Sequence, residues 1–248
     1  MYWTLQEVFM NDTNTHAQSS PPIQTRAVIA FAAYVLLLPA VIFLAAGTLR
    51  WPNGWVYYGL TAAAALVSRA IVALVHPDLL AERGQSQRAE DVKSWDRLLS
   101  FCVGLLAPMV VLIVTGLDKR WSWSPLLPSW VATVAVAVFV LSYAFSTWAM
   151  VTNRFFSGVV RIQKDRGHHV VTNGPYRIVR HPGYTGGAIA MIGAPLLLGS
   201  LWALIPAAAY VILIVVRTML EDRTLQEELP GYREYAQRTR YRLLPGLW

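Results

Sequence analysis

The chain has 248 residues, of which 55% are hydrophobic and 14% charged, and its mean hydropathy is +0.42. That is too oily and too poor in charge for an ordinary soluble domain, which sets aside most soluble enzymes and binding modules. The net charge of +7 does not point to nucleic acid, because the basic residues form no single run and alternate between loops, as membrane-orientation signals do.

Residues 1–25 are polar and turn-rich and predict a loose or surface-lying arm. Beyond them, about 20 apolar residues at a 1.5 Å rise suffice to cross a hydrocarbon core of about 30 Å. Residues 27–49, 55–75, 98–117 and 130–151 meet that count. The first of these starts late and lacks a basic leader and a small-residue cleavage site, so it is expected to stay in the mature protein. Cys102 stands alone inside the third, which excludes an internal disulfide and a paired-thiolate metal site. Between the second and third lies a loop over 76–97 with both signs of charge. Arg69 and Ser68 lie inside the second stretch, as a functional polar site or, since Arg69 is near its cytoplasmic end, as a snorkelling arginine.

Residues 184–216 form a fifth apolar stretch, too long for one span and too short for two full ones. Gly199 and Ser200 break it, which predicts a tight hairpin: one helix over 184–198 and a second from Leu201 onward. The second helix meets no stop before Pro230 and Gly231, so it should run out of the lipid carrying Arg217, Glu221, Asp222, Arg223, Glu227 and Glu228. The fold expected is all-α: a polytopic helical membrane protein with about four full spans, a C-terminal helical hairpin and cytoplasmic ligand-binding segments. Three units follow, an arm over 1–26, transmembrane helices over 27–151 and a C-terminal region over 152–248 that holds the hairpin.

With the N-terminus inside, Arg83, Arg88, Lys93 and Arg97 and the basic residues of 154–180 and 217–242 are all cytoplasmic, against Arg50, Lys119 and Arg120 outside. Both ends should then face the cytoplasm. Trp51, Trp55, Trp121, Trp123 and Trp130 gather at the outer interface, which indoles favour.

Two polar clusters meet at the inner boundary, RIQKDRGHHVVTNGPYRIVRHPGY over 161–184 and EDRTLQEELPGYREYAQRTRYRLLPGLW over 221–248. Charge alone fits a solvated positive-inside loop. Pro175 and Pro182 stiffen the first cluster, Gly174, Gly183, Gly186 and Gly187 permit close backbone approach, and its tyrosines offer flat faces, so it can enclose a planar ring and a polar tail. In the second, Arg223 and Glu227 share a helix face, as an ordinary surface ion pair or as part of a site. Arginine suits a planar carboxylate, and a glutamate can hold ribose hydroxyls or offset a cation. His168, His169 and His181 do not make a metal set, since adjacent histidines point apart and no cysteine is near.

HHVVTNGPY, RHPGY, a hairpin-length apolar stretch, then DRTLQEE, GYREY and RLLP occur in that order. In this the sequence resembles the isoprenylcysteine carboxyl methyltransferase family of integral membrane methyltransferases, over about residues 153–248. The resemblance implies S-adenosylmethionine held between the two clusters at the cytoplasmic face and a lipophilic acceptor, such as an isoprenylcysteine carboxylate, entering from the bilayer. By motif, the cofactor residues are Gln163, His168, His169, Val170, Val171, Tyr176, His181, Pro182, Gly183, Tyr184 and Glu227, with Arg223 on the acceptor carboxylate and no metal. The chain departs from the family in a shorter segment between Gln163 and His168 and in Leu225 and Gln226, which stand where acidic residues are common. Expected partners are membrane lipids and a lipidated or lipophilic substrate, not nucleic acid; the membrane itself, bacterial inner or endoplasmic reticulum, is open. The rivals are an NADPH-dependent sterol-type reductase on a related scaffold and a phospholipid N-methyltransferase.

Overall fold

The computed structural model describes residues 25–85 and 91–248. The expected arm over 1–26 therefore lies almost wholly outside the described residues. Those described form nine α-helices and no strand: α1 (Thr25–Ala46), α2 (Pro52–Val75), α3 (Pro77–Gln85), α4 (Ser94–Phe101), α5 (Ala107–Trp121), α6 (Ser129–Thr152), α7 (Pro182–Leu198), α8 (Leu204–Glu228) and α9 (Tyr232–Arg238). A π-helical turn, Cys102–Leu106, joins α4 to α5, just ahead of Pro108, whose missing amide and bulky ring an α-turn would not accommodate. The three pieces make one 28-residue helix, Ser94–Trp121.

Among the described residues, four helices are long and apolar enough to cross a membrane: Pro52–Val75, Ser94–Trp121, Ser129–Thr152 and Leu204–Glu228. Many of their large apolar side chains, Leu66, Leu74, Leu141 and Ile212 among them, face outward, as surfaces that contact lipid do. The loop expected over 76–97 is in part helical, because Pro77 starts α3 and residues from Ser94 already belong to the third span. Trp51 is 4% exposed and packs edge-on against Phe43 at 6.4 Å, so it is a core residue. Trp55, Trp121, Trp123 and Trp130 are exposed, as an interfacial belt requires.

The hairpin forms where the sequence breaks. Gly199 caps α7 in the left-handed region at φ 80°, which glycine enters at no steric cost. The turn is pinned from the far end of α5: the buried Asp118 accepts hydrogen bonds from Ser124 Oγ and Ser200 Oγ. α7 then packs tightly on α6, because Gly186 lies so close that a Cβ there would stand 2.1 Å from Ser146 Oγ and 2.5 Å from the Ser142 carbonyl oxygen. Small residues at such contacts let helix backbones approach where lipid supplies no hydrophobic drive. At its other end α8 runs on to Glu228 and stops at Leu229, with Gly231 at φ 82° starting α9.

Candidate functional site

The charged end of α8 organises its surroundings through Asp222, which is 1% exposed. Its carboxylate accepts from Arg180 Nε at 2.7 Å and Nη2 at 2.9 Å, from Tyr232 Oη at 3.1 Å, from Gln226 Nε2 at 2.9 Å and from Arg242 Nε at 3.0 Å. A buried charge with every lone pair engaged holds its partners firmly. The remaining Arg180 nitrogen, Nη1, donates to the carbonyls of Thr239 and Arg240. The amides of Arg180 and His181 donate to the carbonyls of Tyr241 and Arg242. The RHPGY stretch is thereby fixed against α8, α9 and the segment that follows α9, and Pro182 opens α7 directly from it.

Behind this frame a cavity opens, walled by most of 153–163, by 168–171, by Tyr176 and by 180–184, and closed by Glu221, Leu225, Leu229, Tyr232 and Tyr235. Gln163, His168, His169, Val170, Val171, Tyr176 and the run His181 to Tyr184, all expected from the sequence, line it together. Gln163 is itself committed: its Nε2 donates to the Phe155 carbonyl at 2.7 Å, and its Oε1 accepts from Arg166. The Gln163 amide points at His168 Nδ1 at 3.3 Å, so the neutral ring carries its proton on Nε2. That ring is neutral over a wide range, because burial, with His169, Arg161 and Arg166 nearby, pushes its pKa down to about 4. Phe155 lies 4.7 Å from the His168 ring and 4.8 Å from that of His169. Tyr176 is buried with its hydroxyl near Asn153, and burial raises its pKa.

Arg223 and Glu227 are not brought to the cavity. They pair with each other at 2.8 Å on the outside, with side chains 77% and 50% exposed. Glu221 lines the cavity and Arg217 is buried behind its wall, six positions earlier with the same four-residue spacing. Six residues turn a helix by about 240°, so the two pairs point to different sides. Tyr184 donates its phenolic hydrogen to Glu221, Arg217 Cζ lies 5.4 Å from the Tyr184 ring centre, and the same ring stacks on His181 at 5.8 Å. The sequence carried a signal for this choice: the buried positions Ala207, Tyr210, Ile214 and Arg217 step by three or four and lead on to Glu221 and Leu225.

A second, apolar groove of about 760 Å³ runs between α6, α7 and α8. Its α8 residues, Val211, Val215 and Met219, lie on another side of the helix from Glu221, and Leu243 and Leu244, which follow the residues that pair with Arg180 and His181, line it too.

Residues 134–227 match the family model described as isoprenylcysteine carboxyl methyltransferase (ICMT) family. The chain is 27% identical over 136 residues to protein-S-isoprenylcysteine O-methyltransferase B of Arabidopsis thaliana, covering 52% of this chain and 62% of that protein. It is 29% identical over 116 residues to a probable protein-S-isoprenylcysteine O-methyltransferase of Oryza sativa subsp. indica, covering 44% and 58%. The matches thus span less than two thirds of these relatives' length. A solved structure of the eukaryotic intramembrane Ras methyltransferase ICMT superposes with a TM-score of 0.52 at 20% identity, over 86% of this chain and 74% of that one; the fold is shared. The chain is an integral, multi-pass membrane protein.

Proposed function

We propose that this chain, whose residues 134–227 match the isoprenylcysteine carboxyl methyltransferase family model, is a member of that family and moves a methyl group from S-adenosylmethionine to the carboxylate of a lipophilic acceptor of the isoprenylcysteine type. The observation that carries the choice of cofactor is the state of the arginines in the cavity wall. Arg180 spends its donors on Asp222 and two carbonyls, and Arg161 spends its own on Glu82, Asp91 and Asp165. A dinucleotide reductase needs cations to grip phosphates, and those two are already satisfied.

The remaining wall suits a nucleoside that ends in an amino acid and carries a positive sulfur. Phe155 and the neutral His168 offer flat faces for an aromatic base and one N–H donor, and Glu221 offers a carboxylate to hydroxyls or to a cation. Tyr184 adds an aromatic face, which a sulfonium favours. The cavity encloses about 100 Å³, below the roughly 300–1,000 Å³ usual for ligand pockets, so loading requires lining side chains to move apart. Bound S-adenosylmethionine supplies an electrophilic methyl group.

The protein's own task is orientation. A carboxylate is ionised at neutral pH and needs no strong base, so the chain has to strip its water, fix its angle and hold it in line. We assign the acceptor carboxylate to Arg217 and the cofactor side to Glu221, in place of Arg223 and Glu227. The reading places the cavity and both termini on the cytoplasmic side by the distribution of arginine and lysine. Calorimetric titration of the detergent-purified protein with S-adenosylhomocysteine, with NADPH in parallel, tests the cofactor: binding of the first, lost in Tyr184→Ala, supports it, and binding of NADPH alone overturns it.

A further inference from the structure

We infer that Asp96, at the start of α4 and outside the stretch that matches the family, is the positioning residue that aims Arg217, and that the N-terminal half of the chain thereby completes the acceptor site. This rests on the assignment of Arg217 to the acceptor carboxylate.

Asp96 is 0% exposed. Its Oδ1 accepts from Arg217 Nε at 2.7 Å, and its Oδ2 accepts from Arg217 Nη2 at 3.0 Å and from the Val160 amide at 2.6 Å. Arg217 Nη2 also donates to the Gly158 carbonyl at 2.8 Å. One carboxylate so ties α4, the cavity wall at 158–160 and α8 together. The two parallel bonds fix the guanidinium in its plane as well as in place, which a single contact would not do. They use the Nε and Nη2 edge, and Nη1 is left without a hydrogen-bond partner among the described residues. An arginine held along one edge by a buried acid, with its remaining nitrogen Nη1 unpartnered beside the ring of Tyr184, is set to donate to a second carboxylate without losing side-chain freedom on binding.

A plain structural staple predicts something different. If Asp96 only held helices together, its loss would lower stability and cofactor binding along with activity. If it aims Arg217, its loss acts on the acceptor and acts through Arg217.

The test uses Asp96→Asn, Arg217→Lys and the double variant of the full chain in detergent, with N-acetyl-S-farnesylcysteine and its methyl ester as probes. The expected result is that Asp96→Asn raises KM for the acid by about tenfold or more, while S-adenosylhomocysteine affinity stays within about twofold of the parent, as expected when no cofactor contact is touched. The ratio of affinity for the acid over the ester should fall by a similar factor, and the double variant should be no worse than the poorer single one. Parallel loss of S-adenosylhomocysteine binding and melting temperature, an unchanged acid-to-ester ratio, or independent additive effects of the two substitutions overturn the proposal. If the parent binds S-adenosylhomocysteine but transfers no methyl, the methyl-transfer reading fails, and the acid-to-ester binding ratio still decides the role of Asp96.

Discussion

Arg180 grips Asp222 with two N–H···O bonds at 2.7 and 2.9 Å, and neither side chain is more than 5% exposed. This pair joins the stretch before α7 to the end of α8, so both halves of the cavity depend on it. Removing one partner of a buried pair leaves the other charge uncompensated, at a cost of about 3–5 kcal/mol. Asp222→Asn is therefore expected to lower the melting temperature clearly and to abolish S-adenosylhomocysteine binding, both measurable on one detergent preparation.

Two arginines on α8 make opposite forecasts. Arg217→Lys loses the planar fork and should cut methyl transfer by about tenfold or more, although the charge is kept. Arg223→Lys, whose side chain is 77% exposed beside Glu227, should leave the rate within about twofold, as surface pairs contribute little. Initial rates of the two variants side by side decide between the inward and outward pairs.

His168 gives a pH dependence of known sign. Its pKa falls from 6.5 to about 4 on folding, so between those values the unfolded chain binds a proton that the folded one refuses. The destabilisation is absent above pH 6.5, grows as pH falls, and is complete below about 4. His168→Gln should lose less melting temperature than the parent between pH 7 and pH 5, measured by thermal unfolding in detergent.

Close approach of α6 and α7 predicts a contrast between neighbours. A methyl group at Gly186 meets Ser146 Oγ and the Ser142 carbonyl, whereas one at Gly187 meets only Tyr210 Oη at 3.4 Å. Gly186→Ala should destabilise by about 1–3 kcal/mol through overpacking, and Gly187→Ala by much less. Thermal unfolding of both variants checks it.

Much of the fold was legible because a bilayer imposes simple counts. The spans came from apolar length, and the hairpin came from Gly199 and Ser200 interrupting an apolar run. The residues of the cavity wall came from the resemblance carried by HHVVTNGPY and RHPGY, in a stretch whose prolines, glycines and aromatic residues suit an enclosed ligand. What stayed hidden depends on facing and on distant partners. Arg217…Glu221 and Arg223…Glu227 have identical spacing, and they are told apart only by following the three-to-four-residue step back along α8 to Ala207. Asp96 reads as one charge in a mixed loop; its partner lies 121 positions away, and no local pattern reveals that. Trp51 fits an interfacial belt by sequence, yet Phe43 draws it into the core.

The most direct test of the account is transfer of a labelled methyl group from S-adenosylmethionine to N-acetyl-S-farnesylcysteine by the protein in liposomes, with the product treated with alkali. Carboxyl methylation predicts label in the organic phase that alkali releases as methanol, since a methyl ester hydrolyses. Label that survives alkali would place the methyl on nitrogen or sulfur and contradict the carboxylate acceptor, and absence of transfer together with absence of S-adenosylhomocysteine binding would contradict methyl transfer itself.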